Sequence, residues 1–209
     1  MYPARLLLAL ALLLEAWPAV AQPNLRTTFP GRRVGGGTRG ECTARVLAHL
    51  VPGTSVFAPG PAALVGLLEG PTANPRPITI SFRQANAAGS SDSAQALQLR
   101  RELPVSTAGV TLLKVPLKGA TVWESVYRCE EASAASTDPL NFVTSAAPPA
   151  VTLLLLDGTS ADTALQARLA QLKTACGATV TRQQLASSFD LTDVITADWP
   201  EQLPVRCLF

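Results

Sequence analysis

The sequence predicts a mainly β fold, an antiparallel β-sandwich with a small helical C-terminal appendage. Three observations lead there. Between Cys42 and Cys129 short apolar runs recur, several alternating at period two as half-buried strands do. Turn residues break these runs every 8 to 15 residues, a spacing found in sandwiches. A long stripe at helical spacing follows only after residue 158.

Taken in order, Met1 to Arg5 carries one positive charge and an apolar run follows, interrupted only by Glu15. Ala19 and Ala21 then give the A-x-A pattern of a signal-peptidase site. The run is shorter than the about 20 apolar residues that span a bilayer. Residues 1–21 are therefore expected to be a cleaved signal peptide, with no later run long enough to cross a membrane. Residues 22–41 are dominated by proline, glycine and arginine, the pattern of an extended leader. Positive charge concentrates in residues 26–45: Arg26, Arg32, Arg33, Arg39 and Arg45 face only Glu41, while the remaining mature chain is slightly acidic.

Residues 42–132 are expected to form the sandwich. In "PITISFRQ", Ile78, Ile80 and Phe82 share one face, with Thr79, Ser81 and Arg83 on the other. In "TVWESVYRC", Trp123 and Tyr127 share a face with Ser125 and Cys129, and this aromatic face should be buried near Phe82. "NAAGSSDSAQ" reads as a hairpin loop. "PAALVGLLEG" reads as a strand or a short helix, because so short a run does not discriminate. Residues 133–150, rich in alanine, serine and proline, read as a linker or loop.

In residues 151–209 a strand and a helical part are expected. "AVTLLLLDG" suits a buried strand. Leu165, Leu169, Leu172 and Cys176 form one helical stripe, with Asp162 in the first turn and Gly177 as C-cap. One more short helix and a tail complete the chain.

Most chemical motifs fail on context. Cys42, Cys129, Cys176 and Cys207 form no C-x-x-C pair and His49 is the only histidine, so structural disulfides are expected and no metal site. Gly35, Gly37 and Gly40 satisfy G-x-G-x-x-G, but no strand precedes them and the next acid after Glu41 is Glu69. A dinucleotide site, and any other cofactor, is therefore not expected. Neither Walker A nor G-x-S-x-G occurs, and His49 between Ala48 and Leu50 reads as a strand residue. Aromatics make up only 5% of the chain and do not interleave with the arginines, which argues against nucleic acid. Glu130, Glu131, Asp157 and Asp162 keep open a paired-carboxylate glycosidase mechanism.

"PGRRVGGGTRGEC" resembles the N-terminal signature P-x-R-x-x-G-G-G-[ST]-R-G-x-C of a family of exported cyanobacterial proteins, catalogued as domain of unknown function 928. Gly35, Gly36, Gly37, Thr38, Arg39, Gly40 and Cys42 stand at its positions. "LVP" at Leu50 to Pro52, "AGVTLLKVPL" and "VWESVYRC" resemble later strands of the family, so the likeness covers residues 29 to 130. Cys176 and Cys207 depart from it. The resemblance implies an exported protein working with envelope or secretion components, and implies no activity, since none is established for the family.

The expected function is thus a non-enzymatic envelope or binding protein. Its rivals are a carboxylate-dependent carbohydrate-active enzyme and a purely structural secreted module. Expected partners are envelope or secretion proteins or an anionic polymer. Cys42 and Cys129 flank the family-like core and are expected to pair, leaving Cys176 for Cys207. Three roles stay open for Arg32, Arg33, Gly35, Gly36, Gly37, Thr38, Arg39 and Gly40: an ordered strap anchored by Arg33 and Arg39, a mobile leader, or an anion-binding nest.

Overall fold

The structure, a computed structural model, describes residues 25–36, 46–85, 97–115, 117–128 and 148–209. The expected signal peptide (1–21), most of the expected linker (133–147) and the Cys42–Cys129 pairing lie outside these residues.

The described chain opens with a single helical turn, α1 (Leu25–Thr28), and strands β1 (Val34–Gly35), β2 (Leu47–His49), β3 (Val56–Phe57) and β4 (Leu64–Glu69). Strands β5 (Ile78–Gln84), β6 (Leu97–Leu103), β7 (Gly109–Lys114), β8 (Thr121–Tyr127) and β9 (Ala150–Leu154) follow. Helix α2 (Ser160–Lys173), β10 (Thr179–Thr181), α3 (Arg182–Ser188) and β11 (Gln202–Leu208) complete it. One sheet has the order β1-β2-β4-β7-β11-β10 and the other β3-β9-β8-β5-β6.

The fold is mainly β, but the purely antiparallel arrangement expected from the sequence is corrected. β11 runs parallel to β7, and β3 parallel to β9, so both sheets are mixed. Period two reports which face a side chain takes; it carries no information on the direction of the neighbouring strand.

Where alternation was visible, the faces are as expected. Ile78, Ile80 and Phe82 are buried, Trp123 is fully buried, Tyr127 is buried, and the Phe82 and Trp123 ring centroids are 6.1 Å apart. "PAALVGLLEG" supplies strand β4. All six of its residues are buried, as befits a strand hydrogen-bonded on both sides, to β2 and β7.

Helix α2 starts in a capping box. The Thr159 hydroxyl accepts from the Asp162 N–H, and the Asp162 carboxylate accepts from the Thr159 N–H. Leu165, Leu169 and Leu172 form its buried stripe. Its end differs from the expectation, because the helix stops at Lys173 with Thr174 as cap. Cys176 and Gly177 lie in the turn beyond. Gly177, at φ +80°, donates its N–H to the Val205 oxygen at 2.8 Å and so turns the chain toward β10. Cys176 is disulfide-bonded to Cys207 on β11, with Cα atoms 5.7 Å apart.

Residues 202–208 are not a tail. β11 lies inside the six-stranded sheet between β7 and β10, with Leu203 and Val205 buried. One apolar cluster joins Leu67, Leu112 and Val205 of this sheet to Ile80, Trp123 and Leu154 of the other, and includes Leu169 of α2 and Leu185 of α3. A smaller cluster of Val56, Val122 and Leu153 is covered by Leu25 and Phe29. No helix among the described residues is long and apolar enough to cross a membrane.

Candidate functional site

The glycine-arginine leader is held at successive points by backbone and side chain. Arg26 donates to the Asp157 oxygen at 2.5 Å and pairs with the Asp162 carboxylate at 2.9 Å. Asp162 also accepts from the Ala58 N–H at 3.1 Å. Burial pushes its carboxyl up, but the hydrogen bonds from Thr159 and Ala58 and the Arg26 charge outweigh that and hold it below its ordinary value. Of the acids considered for catalysis, Asp162 is thus a structural hub and Asp157 is exposed, while Glu130 and Glu131 lie outside the described residues.

Beyond α1 the segment alternates between the two sheets. Arg32 exchanges both backbone hydrogen bonds with Val151 of β9, at 2.9 and 2.7 Å. The Arg33 oxygen accepts from the His49 N–H at 2.8 Å, Gly35 pairs with Leu47, and the Gly36 N–H donates to the Pro148 oxygen at 2.8 Å. Two of the glycines have local reasons. A Cβ on Gly35 would meet the Ala150 nitrogen and lie 2.5 Å from the Pro148 oxygen, and Gly36 sits at φ +84°.

The adjacent arginines are used differently. The Arg33 guanidinium donates to three carbonyl oxygens: Val51 at 3.2 Å, Phe189 at 3.3 Å and Asp190 at 2.6 Å. The last two close the C-terminal end of α3, where the helix dipole favours a cation. Residues 32–36 are thus tied to β2, β9 and the segment before β9, and Arg33 also to the end of α3. Arg32 is exposed, and its side chain has no partner among the described residues. Gly37, Thr38, Arg39 and Gly40 lie outside them.

Arg32, Gly35 and Gly36 line a groove of about 510 Å³. Its other walls are Val34, Val46, Pro71, Pro148, Val194 and Trp199, with Thr196 and Asp198 at the polar side. The Thr196 hydroxyl donates to the Asp198 carboxylate. The volume falls within the ~300–1,000 Å³ of small-molecule pockets, and an apolar lining with few polar groups is their usual composition. A second cavity, between α2 and α3, holds only about 120 Å³.

Two buried polar clusters lie behind these surfaces. His49 stacks on Trp123, with ring centroids 3.4 Å apart and planes 9° from parallel. Its Nδ1 is 2.8 Å from the Thr152 hydroxyl and its Nε2 2.9 Å from the Ser125 hydroxyl. Complete burial pushes its pKa well below 6.5, so the ring is neutral. The expected strand residue is therefore a polar contact between the sheets. The other cluster surrounds Glu69, which accepts from Ser106 at 2.6 Å, Thr111 at 3.4 Å and Arg206 at 3.3 Å. Burial raises its pKa against these partners, and burial together with the Glu69 charge raises that of Tyr127.

Sequence reasoning found Arg32, Gly35 and Gly36 but missed Val46, Pro71, Val194 and Trp199, which reach the groove from separate segments. Comparisons with family models, curated proteins and solved structures gave no match to this chain.

Proposed function

We propose that the chain is an exported, non-enzymatic binding protein whose two sheets pack face to face as a sandwich, and that the groove beside the glycine leader is its binding site. The face-to-face packing is supported by His49 of β2, whose ring stacks on Trp123 of β8 and reaches hydroxyls on β8 and β9. Export is supported by the N-terminal sequence and by the Cys176–Cys207 bridge, since structural disulfides belong to oxidising compartments. The proposal that the chain belongs to the family catalogued as domain of unknown function 928 rests on the leader motif alone.

The observation that carries the binding reading is the groove. Apolar walls and an arginine whose side chain has no partner among the described residues are what a ligand site needs, and the pocket-lining glycines are fixed in place by hydrogen bonds. The test uses the neutral apolar dye N-phenyl-1-naphthylamine. Saturable enhancement of its emission is expected with the wild type, and Val194→Phe should weaken it severalfold without lowering the melting temperature. Absence of dye binding, or equal binding by Val194→Phe, overturns the reading.

A further inference from the structure

We infer that the groove takes a single-chain amphiphile, a free fatty carboxylate, whose head is held by Arg32 and whose chain lies along Val34, Val46, Pro71, Val194 and Trp199. The inference rests on the groove being the binding site and goes further, by naming the ligand's chemistry.

Charge complementarity selects the head group. Of the leader arginines placed by the structure, Arg26 is paired with Asp162 and Arg33 is spent on three carbonyls. Arg32 alone among them keeps its guanidinium open, and it stands at the groove. Its backbone is fixed by two hydrogen bonds to Val151, so the side chain is presented from a rigid base. A guanidinium forks onto a carboxylate through two parallel N–H bonds. Asp198, the one acid lining the groove among the described residues, accepts from the Thr196 hydroxyl and forms no ion pair with Arg32.

The walls select the body. The valine and proline side chains of the walls offer no hydrogen-bonding group, so a polar polymer segment lying along them would lose its hydration without replacement. A methylene chain loses nothing there and gains about fourfold in affinity per buried CH₂, from roughly 0.8 kcal/mol each. A sugar or nucleotide fits this lining poorly. A phosphate polymer fits poorly too, because Arg33 and the Gly36 N–H are already occupied.

The test displaces the bound neutral dye from the intact oxidised protein with octanoate, decanoate and dodecanoate, below their micelle concentrations, and with methyl dodecanoate. Affinity should rise about fourfold per methylene along the series. Dodecanoate should bind about tenfold better than its methyl ester, and Arg32→Ala should abolish that difference while dye binding persists. Equal displacement by acid and ester, or an undiminished preference in Arg32→Ala, overturns the inference and leaves the groove reading standing. Failure of the dye itself to bind overturns both. Retention on dioleoylphosphatidylglycerol vesicles without any response to dodecanoate would assign Arg32 to a membrane surface and overturn the free carboxylate.

Discussion

His49 and Glu69 sit on adjacent strands, β2 and β4, and both are buried, yet they are accommodated by opposite means. His49 is neutral and takes its partners from the other sheet: the Trp123 ring, the Ser125 hydroxyl and the Thr152 hydroxyl. Glu69 takes hydroxyls and a guanidinium from its own sheet and the loop before β7. The Arg206 Nη2 also donates to Ser106 at 3.1 Å and to the Thr107 oxygen at 2.8 Å, so the cluster ties β4, β7 and β11 together. A neutral group needs only hydrogen bonds to be buried, whereas a carboxylate needs a counter-charge as well. The first cluster therefore fastens sheet to sheet, and the second fastens strand to strand.

The comparison breaks most visibly at Trp123. Trp123→Ala removes the ring beneath His49 and should cost ~3–5 kcal/mol in urea denaturation. Trp123→Phe should cost clearly less, because the buried Trp123 Nε1 has no hydrogen-bond partner to lose. Equal losses from the two substitutions would mean that the stack contributes little.

Arg206→Ala comes next, at about 2–3 kcal/mol, below the range for a fully buried pair because the arginine is 29% exposed. Glu69→Gln in that background should recover part of the loss, since the stranded charge is then gone. A double-mutant cycle giving no coupling would show that Glu69 and Arg206 do not act as a unit.

Acidity sharpens the contrast, because the two groups respond with opposite sign. The folded pKa of His49 is lowered, so the unfolded chain binds the proton first, and stability present above pH 6.5 is lost as pH falls. The contribution of His49 approaches a limiting slope of about 1.4 kcal/mol per pH unit below that point, and His49→Gln should flatten the profile between pH 7.5 and 5.5. The folded pKa of Glu69 is raised, so its contribution is full below pH 4.5 and declines as pH rises through the folded value. An unchanged slope in His49→Gln would show that other groups carry the acid sensitivity.

The smallest effect calibrates the others. Glu102 and Arg128 form a pair at 3.1 Å, with side chains 52% and 62% exposed. Arg128→Ala should change stability by no more than ~0.5 kcal/mol in the same assay. A larger loss would mean that surface charge matters more here than its exposure allows.

The readable parts of the sequence were those with local periodicity. β5 and β8 showed their buried faces because Ile78, Ile80, Phe82, Trp123 and Tyr127 alternate with polar residues. The buried stripe of α2 was legible through Leu165, Leu169 and Leu172. β4 is buried on both faces and has no period to read. β11 was hidden by Pro204, which reads as a breaker yet occupies a strand position. In the site, Arg32 and Arg33 are identical neighbours in sequence. Only the alternation of the leader between β9 and β2 separates their fates, and that is a long-range property.

The placement of β11 bears on the order in which the protein can be assembled. Its register partners Arg206 and Thr111 are 95 residues apart, so the six-stranded sheet stays open until translation has passed residue 208. Until then β7, an apolar strand, presents one unpaired row of amides and carbonyls, the sort of edge that recruits strands from other molecules. A chain ending before Gln202 would keep that row open permanently, and would lack the cysteine that joins Cys176. Synthesis of β11, more than any earlier step of elongation, is the moment at which this edge is closed.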